Sequence, residues 1–246
     1  MGAGFKPARA RREIPALFFG VLLSLPIYQA IDRTEAMKDT VTEFPEGFAH
    51  YPLYFTPAQQ GALIDAVAEG VSQAPFYQPR MPRTGAPLSV VMSNFGALGW
   101  VTDKERGYRY DPVHPKTGQP WPRLPKLLAD LWDDVTDWPD RPEACLINWY
   151  RDGAKMGQHV DNDEQEVRAP VVSVSLGDPA MFRMGGETRG GPTAGVKLYS
   201  GDVVVMAGRA RLCHHGVSKI WYGESALVPK GGRINLTMRR VYPSGQ

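Results

Sequence analysis

The sequence predicts one mainly β domain of the double-stranded β-helix, or jelly-roll, type with helices flanking it on the N-terminal side. Two patterns carry that prediction. From Ala144 onward, short runs rich in Val, Ile and Leu are broken by Gly177-Asp178-Pro179, Gly185-Gly186, Gly190-Gly191-Pro192, Ser200-Gly201 and Gly231-Gly232, the punctuation of many short antiparallel strands. Ahead of Ala144 the apolar spacing is instead three and four, the period of helices. A double-sheet jelly roll accommodates that strand count and lets side chains from separate strands converge in the barrel mouth. At 246 residues and 43% apolar content, the chain can bury one sizeable core without a second domain.

Residues 1–36 differ from the rest. Lys6, Arg9, Arg11 and Arg12 precede an apolar stretch from Ile14 to Tyr28, and Glu13 is the only acid before Asp32, the outline of a secretory or organellar leader. Ser24 and Pro26 interrupt the stretch, which is short for a membrane span. The segment reads either as a cleaved leader or as sequence upstream of a true start at Met37, and 37–246 as the domain. Within it, Pro57 to Val71 predicts an amphipathic helix with Leu63, Ile64 and Val67 on one side. A second helix is expected after Pro122, where Leu124, Leu127, Leu128, Leu131, Trp132 and Val135 recur at helical spacing before Trp138-Pro139 stops it. Between them, Phe76 to Trp121 is rich in aromatics, proline and turns, including Trp100, Tyr108, Tyr110 and Trp121.

Two motifs in the strand-rich half point to chemistry. In Gly157-Gln158-His159-Val160-Asp161, an extended backbone turns residues two apart the same way, so His159 and Asp161 can grip one ion together. Two imidazoles and one carboxylate on one face of a ferrous ion leave three positions open for oxygen and a chelating cosubstrate. In Arg233-Ile234-Asn235-Leu236-Thr237-Met238-Arg239, period two places Arg233, Asn235, Thr237 and Arg239 on one side and an apolar set on the other. Guanidinium forks match carboxylates in bidentate fashion, so two arginines suit a ligand with two carboxylates. The third metal ligand must come from a distant strand. His214 and His215 face opposite ways in a strand, and parity alone does not choose between them.

With these residues assembled, the chain resembles the AlkB family of iron(II)- and 2-oxoglutarate-dependent dealkylating dioxygenases, in particular its bacterial members. The resemblance runs from about Phe44 to Tyr242 and includes Leu146-Ile147-Asn148-Trp149-Tyr150, His159 to Glu164, Ala169 to Gly177, Gly201-Asp202-Val203-Val204-Val205, His215-Gly216 and the arginine strand. It implies that His159, Asp161 and His215 ligate iron, with the last chosen because the family's ligand stands immediately before the glycine. It further implies that Arg233 with Tyr150 holds the distal carboxylate of 2-oxoglutarate, that Arg239 with Asn148 steadies the keto-acid end, and that Asn235 supports the same pocket.

In the family, the region corresponding to about 76–121 forms a nucleotide-recognition lid. By resemblance Trp100 stacks on the target base, Asp163 faces its exocyclic amine and Tyr108 meets a phosphate. Arg189, in the glycine-rich stretch 185–195, is a further candidate for phosphate contact. The implied reaction consumes oxygen and 2-oxoglutarate at Fe(II), hydroxylates the N-alkyl carbon of bases such as 1-methyladenine and 3-methylcytosine in DNA or RNA, and releases formaldehyde. The alternative is a hydroxylase of a small metabolite or protein side chain, against which the aromatic lid argues. A cytoplasmic monomer without a stable membrane partner is expected. That the resemblance begins only after Met37 favours the upstream-start reading of residues 1–36.

The chain departs from the family at two places: Arg151-Asp152-Gly153 lacks the proline many relatives carry before the glycine, and Met206 replaces a tryptophan of the bacterial members. Charge and cysteine spacing bear on the remaining readings. Net charge is +2, so composition alone does not announce a nucleic-acid binder, and local patches must decide. Arg168, Arg183, Arg189, Arg209 and Arg211 read as scattered charge on the surface of the second half. Cys145 and Cys213 have no zinc or disulfide spacing and read as buried thiols. Asp161-Asn162-Asp163-Glu164 is not a calcium loop, because Glu166 stands where the sharp turn needs glycine.

Overall fold

Capping chemistry fixes where the first helix begins in this computed structural model, which describes residues 43–245. The leader-like stretch lies outside the described residues. In chain order the elements are β1 (Phe48–Tyr51), α1 (Pro57–Gln73), β2 (Val91–Gly96), β3 (Gly99–Asp103), β4 (Gly107–Asp111), α2 (Lys126–Val135), β5 (Ala144–Tyr150), β6 (Met156–His159), β7 (Val171–Gly177), β8 (Ala180–Met184), β9 (Ala194–Leu198), β10 (Val203–Met206), β11 (His215–Ile220) and β12 (Arg233–Arg239).

At the start of α1 the Thr56 side chain accepts from the Gln59 amide, and the Gln59 side chain accepts from the Thr56 amide, a reciprocal capping box with Pro57 in the first turn. The helix runs two residues beyond the expected Val71. By contrast α2 begins at Lys126, later than the leucine spacing suggests. Pro125 has no amide hydrogen and disfavours helix at Leu124, so Leu124 packs from an extended segment instead. Both helices press their apolar faces, Leu63, Ile64 and Val67 on α1 and Leu128, Leu131 and Trp132 on α2, into one buried cluster.

The other side of that cluster is a six-stranded antiparallel sheet in the order β1-β10-β7-β12-β5-β2. Ile234, Leu236 and Met238 of β12 join Cys145, Ile147, Val172, Val174 and Leu176 beneath the helices. The alternate residues of β12 therefore face the opposite way, into the cleft, and every residue of the strand is buried. A second antiparallel sheet, β6-β11-β8-β9, closes the cleft from the other side, completing the jelly roll. Segment 76–121 serves two purposes. Its apolar run at Val91, Met92 and Phe95 is buried as the edge strand β2, while the β3–β4 hairpin stands apart as its own two-stranded sheet. No helix among the described residues is long and apolar enough to cross a membrane.

Candidate active site

β12 is the centre of the site because its neighbours are in register with it. Arg233 lies opposite Tyr150 and Asn235 opposite Asn148 on β5, so four polar side chains share the cleft face. From the smaller sheet, His215 opens β11 directly opposite His159 at the end of β6. The two strands meet at very close range. A Cβ at Gly216 would lie 2.7 Å from the Met156 carbonyl oxygen and 2.8 Å from that of Gly157, so only glycine lets the histidine strands approach.

That approach gathers three ligand atoms. His159 Nε2 is 3.7 Å from Asp161 Oδ1 and His215 Nε2 is 3.7 Å from Asp161 Oδ2, with all three donors within 4.8 Å of one another. The tautomers suit a metal. His159 Nδ1 is 2.9 Å from the Gly157 carbonyl and His215 Nδ1 is 3.0 Å from the Cys213 carbonyl. A carbonyl only accepts, so each Nδ1 carries the proton and each Nε2 presents a lone pair. Burial pushes His215 down to about 4, which keeps it neutral at physiological pH. Burial alone would raise the Asp161 carboxyl, but Arg239 and the two histidines outweigh it and hold the group well below the usual range. His214 points elsewhere, toward the Gly186 carbonyl.

A second set of observations calls for an anion. Arg233 is 1% exposed, donates from Nη2 to Ser175 Oγ at 2.9 Å, and leaves Nε and Nη1 buried with no partner. Burial lowers its guanidinium from the ordinary value, the signature of a desolvated cation awaiting its counter-ion. Beside it Tyr150 is raised to about 12 by burial and remains a neutral phenol. Asn148 also leaves its side-chain oxygen buried and unpartnered on the cleft face. Asn235 is fully engaged with Ser173, the Val174 carbonyl and Thr237, and acts as floor. Arg239 is committed to Asp161, with Nη2 to Oδ2 at 2.7 Å, and lies 3.3 Å from Glu164.

The roughly 460 Å³ cleft is lined by Trp100, Tyr108, Asp163 and Arg189 together with the candidate metal and anion residues. Trp100 and Tyr108 stack with ring centres 5.4 Å apart at 22°, and Trp100 Nε1 donates to Asp163 Oδ2 at 2.7 Å. Desolvation raises the Asp163 carboxyl. Arg189 is exposed on the loop between β8 and β9. All twelve residues singled out from the sequence therefore line one cleft. Met206 also lines it, 2% exposed.

Reading the sequence missed Arg211. At 2% exposed, it donates Nε to the Ala169 carbonyl, Nη1 to the Asp161 carbonyl and Nη2 to Glu164 Oε2, while Glu164 Oε1 accepts from Tyr110 of β4. Arg209, two residues earlier, is 70% exposed at its side chain. The two arginines look alike in sequence, and only the placement of Glu164, 47 positions away, distinguishes them.

Residues 47–239 match the family model of the 2OG-Fe(II) oxygenase superfamily. The chain is 52% identical over 195 residues to the alpha-ketoglutarate-dependent dioxygenase AlkB homolog of Caulobacter vibrioides, spanning 79% of this chain and 88% of that protein. It is 43% identical over 191 residues to the alpha-ketoglutarate-dependent dioxygenase AlkB of Escherichia coli, spanning 76% and 86%. The solved structure of OsALKBH1 aligns with a TM-score of 0.68 at 28% identity over 81% of this chain and 99% of that one.

Proposed function

The chain belongs to the AlkB-type alpha-ketoglutarate-dependent dioxygenases of the 2OG-Fe(II) oxygenase superfamily, and from that premise we propose that its cleft dealkylates N-alkylated bases of DNA or RNA for alkylation-damage repair. It is an Fe(II)- and 2-oxoglutarate-dependent enzyme, and the donor set fits those groups. Two Nε2 lone pairs and one anionic carboxylate would hold the ion, and the stranded donors of Arg233 with the Tyr150 hydroxyl would take a carboxylate of the cosubstrate. When bound, iron and 2-oxoglutarate supply oxygen-dependent hydroxylation of a C–H bond.

The protein's own residues do the rest. The Gly157 and Cys213 carbonyls lock the imidazoles, and Arg239 keeps Asp161 ionised. Asn148 would steady the keto-acid end. Trp100 and Tyr108 offer an aromatic wall, which attracts a base made cationic by alkylation, and Asp163 adds a carboxylate beside it. Extruding a base costs a few kcal/mol and less when its pairing edge carries a methyl group, so lesions are favoured before chemistry begins. Arg189 at the rim would meet a phosphate.

The observation that carries the reading is the aromatic and acidic mouth set directly over the metal and anion residues in one cleft. The test is mass spectrometry of an oligonucleotide containing 1-methyladenine or 3-methylcytosine after incubation with enzyme, Fe(II), 2-oxoglutarate and oxygen. Loss of the methyl mass with formaldehyde release supports the reading. Turnover of 2-oxoglutarate with every methylated DNA and RNA substrate left intact overturns it and redirects the search to small metabolites or protein side chains.

A further inference from the structure

The outer face of the smaller sheet carries cations and no acid on its strands. Phe182, Met184, Val217 and Ile220 are buried, which leaves Met181, Arg183, Lys197, Ser218 and Lys219 turned outward. Strict alternation along β11 would not produce this. With His215 and Val217 inward, Lys219 should follow them and Ile220 should face solvent. Instead Val217 pairs with Phe182 while Lys219 pairs with Met181, so Ser218 is an extra residue and the strand bulges. The bulge resets the parity, burying Ile220 and keeping Lys219 outside.

Lys219, Met181 and Lys197 then form one row across three strands. Both ammoniums sit on the ring of Trp221, Lys197 Nζ at 4.2 Å and Lys219 Nζ at 4.7 Å from its centre. The shared ring anchors both charges and reduces the freedom they would lose on binding an anion. In the next row toward the metal ligands, Arg183 stands between Gly216 and Gly195, neither of which has a side chain to cover it, and its hydrogen bond goes to the neutral Thr193 hydroxyl. Glu224, 3.5 Å from Lys197, is the carboxylate set against this patch. Arg183 and Lys219 have no carboxylate partner among the described residues.

Gathering three cations on one face against a single carboxylate is unfavourable to the free protein and favourable to a polyanion. The patch also shares strands β8 and β11 with the cleft. β11 carries His215 at its start, so Lys219 lies only about 13 Å along the strand from the metal site at roughly 3.3 Å per residue. Arg183 and the cleft-rim Arg189 belong to the same β8–β9 hairpin. We propose that this outer face, centred on Lys197, Lys219 and Arg183, docks the phosphate backbone of the nucleic-acid strand whose base enters the cleft. The proposal rests on the nucleobase reading above. Repeating phosphates match spaced cations without any demand on sequence.

The test compares the full-length protein with the Lys197→Ala/Lys219→Ala pair and with Arg183→Ala alone, all outside the cleft. The probe is a labelled, unmodified single-stranded oligonucleotide of ~20 nucleotides, long enough to exceed one binding site. Its affinity is measured by fluorescence anisotropy across a salt series. The slope of log Kd against log salt should fall by about 1.4 in the lysine pair and about 0.7 in Arg183→Ala, at roughly 0.7 per single-strand phosphate contact. KM for a methylated trinucleotide should stay unchanged while KM for a long methylated strand rises. Unchanged slopes in both variants overturn the surface, as does loss of binding to anionic lipid vesicles with oligonucleotide binding intact. Patch-dependent binding with no demethylation supports the surface and fails the dealkylation reading; demethylation with unaltered slopes does the reverse.

Discussion

Replacing Arg233 with methionine should make the ligand-free protein more stable and at the same time deaf to 2-oxoglutarate. The wild-type guanidinium is 1% exposed and leaves Nε and Nη1 unpartnered. Methionine removes one hydrogen bond to Ser175, worth about 1.5–3 kcal/mol for a charged donor. It also removes a stranded cation whose burial costs several kcal/mol even after relaxation. The difference is a net stabilisation on the order of 1–2 kcal/mol, or about 2–8 °C in Tm for a domain of this size. Ligand response should move the opposite way. At a 2-oxoglutarate concentration of about 100 Kd the wild type gains about 2.7 kcal/mol, roughly 5–10 °C, and the variant should gain nothing. Differential scanning calorimetry with and without 2-oxoglutarate, in the presence of a redox-inert divalent metal, reads both effects. A variant that melts well below wild type without ligand, or that keeps the full ligand shift, would refute the assignment of Arg233 as an unpaired carboxylate clamp.

Exchanging His214 and His215 for alanine separately should abolish turnover only at 215, because His214 reaches Gly186 rather than the ligand cluster; equal residual activity in both would contradict this. Gly216→Ala should force β6 away from β11 and weaken Fe(II) binding by roughly 10–100-fold, the range seen when the support of a metal ligand is disturbed, with metal titration as the readout. Arg211→Met should cost about 3–5 kcal/mol in urea denaturation by taking the buried donor away from Glu164 Oε2 and from the Ala169 and Asp161 carbonyls, and adding Glu164→Gln should recover part of it. Within segment 76–121, His114 Nε2 donates to the Pro75 carbonyl while Nδ1 accepts from the Lys116 and Thr117 amides, an arrangement only the neutral ring can make. Burial holds its pKa below the ordinary 6.5, so the unfolded chain takes up the proton first as pH falls. Stability should be intact above that value and decline below it; melting from about pH 7.5 to about pH 5 should show a slope that His114→Gln flattens.

The parts of the fold that were legible in the chain are those where local pattern and tertiary burial agree. In β12, alternation places arginines and aliphatics on opposite faces, and pairing with β5 and β7 keeps both faces buried. Helix α1 carries its own start signal in Thr56-Pro57 and Gln59. Where a boundary depends on one residue's backbone, periodicity misleads, as at Pro125. Strand β1 has no apolar alternation to announce it, and it exists because β10 offers it an edge. In the candidate site, the gathering of His159, Asp161 and the arginines in one cleft was foreshadowed because metal and carboxylate chemistry demands particular residue types. Pairings that bridge long separations, such as Arg211 with Glu164 and Trp100 with Asp163, depend on where loops come to rest, and nothing local in the sequence encodes them.

The most direct measurement of the central claim is an anaerobic titration of pure apoprotein with Fe(II) and then 2-oxoglutarate, followed by visible absorption. A charge-transfer band should saturate at one iron per chain, appear only when both components are present, and be missing from His215→Ala and from Arg233→Met at the same cosubstrate concentration. A featureless spectrum from the wild-type protein, or an undiminished band from both variants, would contradict that claim.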